Sequence, residues 1–124
     1  MNQEVEGWWM QGKNDLEKAK VLFESKYFDG ASFFCQQAVE KVLKALFIKK
    51  YDELPRVHDL VFLARKLEAP EDILTLCDSL KSVYIETRYP LGGKIPAKRF
   101  SQKDTEQYLK NAEEVLVWIK RNLF

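Results

Sequence analysis

Phe33-Phe34-Cys35-Gln36-Gln37-Ala38-Val39-Glu40-Lys41-Val42-Leu43-Lys44-Ala45-Leu46 is the stretch whose reading decides the fold. Phe34, Ala38, Val42, Ala45 and Lys49 follow one stripe at helical spacing, and Cys35, Val39 and Leu46 follow its neighbour. Side chains three and four residues apart share a helix face. A stripe this wide fits a central helix that touches several others. Gln36, Gln37, Glu40, Lys41 and Lys44 nevertheless sit within it, and Gln37, Lys41 and Lys44 share a face at spacings of four and three. They are either a solvated stripe or one wall of a polar cleft. In a cleft, Lys41 would meet phosphate and Gln37 would bond a base.

Working outward, this second helix is expected from about Gly30 to Lys50, with Asp29 as its N-cap. A first helix is expected from about Glu4 to Ser25, because Val5, Trp9, Gly12, Leu16, Ala19 and Phe23 recur every four and three residues. Gly12 weakens that helix and so suggests a close approach by a neighbour. A short third helix is expected from about His58 to Leu67, with Leu60, Leu63, Ala64 and Leu67 inward. Pro70, Glu71 and Asp72 suit the start of a fourth, whose buried face is Ile73, Leu76, Cys77, Leu80, Val83 and Tyr84. Pro90, Gly92, Gly93 and Pro96 make a loop to about Phe100. Ser101 and Asp104 resemble a capping box for a fifth helix running to about Asn122. No strand alternation, internal repeat or low-complexity segment interrupts the pattern. The expected architecture is an all-α, up-down helical bundle of four long helices plus one short helix, in a single domain over residues 1–124.

Composition narrows the function. Hydrophobic residues make up 46% and aromatics 13%, which argues for a globular chain. The net charge is only +1, so any contact with nucleic acid must rest on local charge. Local charge is uneven. Residues 88–103 carry Arg88, Lys94, Lys98, Arg99 and Lys103 with no acid, while residues 68–86 carry five acids against Lys81. The arginine fork suits phosphate and Tyr89 offers a face for a base. The alternative is that the basic loop pairs with the acidic fourth helix or with a partner chain. Cys35 and Cys77 read as reduced core thiols of a cytoplasmic protein. Two Cys and one His cannot build a four-ligand zinc site in one chain, and nothing calls for a cofactor. No apolar run approaches the roughly 20 residues of a membrane span, and the first residues have no signal-peptide pattern. Trp8, Trp9 and Trp118 are either core or a dimer surface.

Taken in order, Phe34-Cys35-Gln36-Gln37-Ala38-Val39-Glu40-Lys41, His58-Asp59-Leu60, Arg88-Tyr89-Pro90 and Ala112-Glu113-Glu114-Val115-Leu116 resemble prokaryotic HEPN (higher eukaryote and prokaryote nucleotide-binding) domains over nearly the whole chain. The resemblance implies a helical bundle that commonly forms homodimers. It also implies a partner, a minimal nucleotidyltransferase, in a toxin–antitoxin pair. Many such domains are metal-independent ribonucleases with an Arg, four to six residues, and a His. No Arg of this chain is followed by a His at that spacing; after Arg88 the positions hold Gly93, Lys94 and Ile95. The resemblance therefore does not carry catalysis with it. The candidate phosphate- or nucleotide-binding residues are Arg88, Tyr89, Lys94, Arg99, Gln37 and Lys41. Arg88 and His58 would serve a divergent ribonuclease, His58 as the residue type whose ordinary pKa lies nearest neutrality. The bland role for His58 is packing at the start of the third helix. A non-catalytic protein-interaction module is the remaining alternative.

Overall fold

The computed structural model describes residues 2–124, with Leu91 described by its backbone alone. Among these residues the structure is all-α. α1 is Gln3–Glu24, α2 Phe28–Tyr51, α3 Leu60–Lys66, α4 Glu71–Leu80, α5 Val83–Glu86 and α6 Gln102–Leu123. Single 3₁₀ turns lie at Leu91–Gly93 and Pro96–Lys98. In the first of these, Gly92 and Gly93 take φ of 63° and 78°, values that side-chain-bearing residues avoid.

α2 is the hub. It packs along α1, crosses α6, and touches α3, α4 and α5. Cys35, Ala38, Val39, Val42 and Ala45 are fully buried, as the double stripe anticipates, and so are Ala31 and Leu43 outside it. α6 buries Leu109, Ala112, Val115, Leu116, Ile119 and Leu123 against it. α3 and α4 close the bundle through Leu60, Leu63, Leu67, Ile73, Cys77 and Leu80. Cys35 and Cys77 are free and buried. Burial pushes both thiols up to about 12, with the Glu113 charge adding to the effect at Cys35. No helix among the described residues is long and apolar enough to cross a membrane.

Several element ends differ from the sequence expectation. α2 begins at Phe28 with Tyr27 at its N-cap, so Asp29 lies in the first turn, where its charge suits the helix dipole. α3 begins at Leu60, because the Asp59 carboxylate accepts from the Phe62 amide at 3.1 Å and caps it there. His58 therefore precedes the helix. The fourth helix breaks at Lys81-Ser82 into α4 and the one-turn α5. The Ser101 cap on α6 forms as expected, its hydroxyl accepting from the Asp104 amide at 3.0 Å. Lys49, grouped by spacing with the apolar stripe, is exposed, and its ammonium bonds the Asn122 and Leu123 carbonyls at the end of α6. A lysine suits that negative helix end.

Candidate functional site

The polar residues inside α2 are ordered by their spacing. Gln36, Glu40 and Lys44 recur every four residues and form one line. Gln36 Nε2 donates to Glu40 Oε1 at 3.1 Å, and Lys44 Nζ donates to Glu40 Oε2 at 3.0 Å. Gln37 Nε2 extends the chain by donating to Gln36 Oε1 at 2.7 Å. Gln36, Glu40 and Lys44 are buried, so this part of the stripe is not solvated. His58 comes from the link between α2 and α3, fixed by the Asp59 cap beside it. Its Nδ1 lies 3.1 and 3.0 Å from the two Glu40 oxygens.

Burial pushes the Glu40 carboxyl up. Hydrogen bonds from His58, Lys44 and Gln36, with the Lys44 charge, outweigh that and leave it below the ordinary carboxylate range. Glu40 is therefore an acceptor and His58 Nδ1 must donate to it, from a ring whose side chain is 59% exposed. Nε2 has no protein partner among the described residues.

Tyr84 joins this histidine to the arginine loop. The His58 and Tyr84 rings stack with centroids 5.0 Å apart and planes 13° from parallel. Arg88, one helical turn beyond Tyr84, lays its guanidinium carbon 4.8 Å from the Tyr84 centroid. Its Nη1 donates to the Tyr84 hydroxyl at 2.6 Å. Arg88 is exposed and Tyr84 half-buried. His58, Tyr84 and Arg88 thus form one continuous stack over a buried carboxylate. It offers N–H donors at the surface.

Arg88 and His58 are brought together, and Gln37 joins them through Gln36 and Glu40. Arg99 instead donates Nη1 to the Glu86 and Tyr89 carbonyls at 3.3 and 3.4 Å. It clasps the start of the loop, so its place is behind Arg88 and Tyr89. Tyr89 and Lys94 are exposed. Lys41 turns away to α1, where it pairs with the fully buried Asp15. Among the described residues, none of Arg88, Lys94, Lys98, Arg99 or Lys103 pairs with a carboxylate, so the basic loop is not neutralised by α4. Of the tryptophans, Trp9 is buried and meets Phe124 edge-on at 5.8 Å, while Trp8 and Trp118 are partly buried.

The residue that sequence reasoning missed is Tyr84, assigned there to the core. Its four-residue spacing from Arg88 was a usable signal. The Glu40–His58 pair carries no such signal, being 18 residues apart and across a break in the helix.

The family model described as HEPN domain matches residues 5–122. The candidate toxin MJ1304 of Methanocaldococcus jannaschii is 32% identical over 124 residues, covering 89% of this chain and 82% of that protein. Among solved structures, TT1696 from Thermus thermophilus shares the fold with a TM-score of 0.92, at 24% identity, over 98% of this chain and all (100%) of that one. ST0689, an archaeal HEPN homologue, is 29% identical with a TM-score of 0.86 over 99% of this chain and 100% of its own. The chain belongs to the HEPN domain family.

Proposed function

We propose that this chain is a cytoplasmic, homodimeric HEPN domain that binds the phosphate of a nucleotide or of RNA at the His58–Tyr84–Arg88 stack. In this reading it is the toxin-type half of a pair whose other half is a minimal nucleotidyltransferase. The observation that carries the binding is the stack itself. A guanidinium and an imidazole are held on one tyrosine, at the surface, next to a basic loop whose cations have no carboxylate partner among the described residues. Such donors match phosphate oxygens in geometry and charge. The likeness to the candidate toxin MJ1304 supports the toxin-type role. Lys94 and Tyr89 extend the site along the loop, and Arg99 holds the loop in place.

Calorimetric titration of nucleoside phosphates and short RNA tests this. Arg88→Ala should weaken binding by about tenfold or more, the worth of a charged hydrogen bond. Arg88 is exposed, so the melting temperature should not move. Unchanged affinity would remove Arg88 from the site.

The Glu40–His58 pair favours a second reading, a divergent metal-independent ribonuclease. A carboxylate on Nδ1 leaves Nε2 as an acceptor, the arrangement a general base requires. Nε2 would take the ribose 2′-OH proton while O2′ attacks phosphorus. The 5′ oxygen would leave with a proton from water, and Arg88 would face the phosphorane charge. Cleavage of end-labelled RNA in EDTA, lost in both His58→Ala and Arg88→Ala, would establish it. Intact RNA at high protein concentration would leave a binding domain.

A further inference from the structure

Tyr84 carries more than the ring on which His58 and Arg88 rest. Its hydroxyl oxygen lies 2.6 Å from Arg88 Nη1, at the surface. A guanidinium has donors and no acceptor, so the hydroxyl oxygen accepts this bond. The phenolic O–H is left to donate, and no group among the described residues accepts it. Stacking alone does not call for this hydroxyl, because a phenylalanine would offer His58 the same face. A hydroxyl that accepts from a cation is also polarised into a better donor.

The donor is held in place. The Tyr84 ring has His58 stacked on it at 5.0 Å and Phe33 beside it at 6.5 Å, tilted by 33°. The single turn of α5 that carries it is anchored by the buried Val83. Thr87 Oγ1 closes that turn by donating to the Val83 carbonyl at 2.6 Å. A side chain already fixed loses little freedom when a ligand arrives. Arg88 Nη1 keeps a second N–H after its bond to Tyr84, since a guanidinium has five. That N–H and the Tyr84 O–H start from atoms 2.6 Å apart, close to the spacing of two oxygens on one phosphorus.

We propose that the Tyr84 hydroxyl is a phosphate donor in its own right and that Tyr84 and Arg88 together grip two oxygens of one phosphate group. This rests on the phosphate-binding reading of the His58–Tyr84–Arg88 stack and adds to it a neutral donor beside the cation. The ligand chemistry it fits is any phosphate with two free oxygens: inorganic phosphate, a monoester or a diester.

Calorimetric titration of inorganic phosphate and of a nucleoside monophosphate, against wild type and Tyr84→Phe, tests this, with the unphosphorylated nucleoside as control. Tyr84→Phe keeps the ring, so the melting temperature should hold. Affinity for both phosphate probes should fall about tenfold, the worth of a hydrogen bond to a charged group. The control should not distinguish the two proteins. Tyr84→Phe also releases Arg88, and a second protein separates that effect from a direct contact. It carries a ring-fluorinated tyrosine at position 84 and is titrated at about pH 6, below the range in which a phenol ionises. Fluorine makes the hydroxyl a stronger donor and a weaker acceptor. Donation to the ligand therefore predicts tighter phosphate binding by the fluorinated protein. Weaker or unchanged binding by that protein would show that the hydroxyl only holds Arg88, and would overturn the proposal. Equal affinity of wild type and Tyr84→Phe would overturn it as well. In each of these cases wild type still binds phosphate, and the His58–Arg88 site stands. No binding of either phosphate probe to wild type would overturn that site and the Tyr84 contact together.

Discussion

At the scale of single residues, Glu40 is where stability and function meet. It is buried with Gln36 and Lys44, and it orients the exposed His58. Removing one partner of a buried pair strands the other, at a cost of about 3–5 kcal/mol. Glu40→Ala should therefore destabilise the fold by about that amount in urea denaturation, with Lys44 left buried and unpaired. Its folded pKa lies below its ordinary value of 4.5. The stabilisation is thus present above the unfolded value and lost as pH falls through the folded one. Stability measured from pH 6 down to 3 should fall, and Glu40→Gln should fall less steeply; parallel profiles would show that Glu40 carries no acid sensitivity. Sequence spacing placed Glu40 among its helical neighbours. It had no means of showing that His58, past the end of α2, folds back onto it. Lys41 shows the same limit. It sits next to Glu40 in the chain, yet its partner is Asp15, a fully buried acid on another helix.

At the scale of elements, the α1–α2 contact is set by Gly12. A Cβ there would stand 2.5 Å from Val42 Cγ1 and 3.1 Å from the Ala38 carbonyl oxygen. Gly7, five residues earlier on the same helix, faces open space. The same substitution should therefore have opposite signs. Gly12→Ala overpacks the crossing, a cost of about 1–3 kcal/mol set against about 1 kcal/mol of helix propensity. Gly7→Ala collects only the propensity, about 1 kcal/mol of stabilisation. Chemical denaturation of the two variants checks this; stabilisation by both would mean the helices can separate freely at Gly12. The close approach was legible because a glycine fell on the apolar face. The break between α4 and α5 was not. Lys81-Ser82 contains neither Gly nor Pro to mark it. The long amphipathic rows of α1, α2 and α6 were legible because each repeats over several turns.

At the scale of the whole molecule, a net charge of +1 conceals a basic loop whose cations have no acidic partners among the described residues. If that loop and the stack bind phosphate, affinity must fall with salt as counterions are displaced. The logarithm of affinity for a single-stranded RNA should fall linearly with the logarithm of salt concentration. The slope should shrink by about one for each of Arg88 and Lys94 replaced by alanine. A slope untouched by either would place the contacts elsewhere. The fold class followed from helical periodicity across the chain, whereas the site needed the meeting of α2, the α2–α3 link and α5. No local pattern encodes that meeting. The most direct measurement is a double-mutant cycle on a fluorescently end-labelled RNA hexamer, using wild type, His58→Ala, Arg88→Ala and the double variant. Residues that hold one phosphate should each lose about tenfold, and the double variant should lose less than the product of the two. Four equal affinities would contradict a phosphate site built on the His58–Tyr84–Arg88 stack.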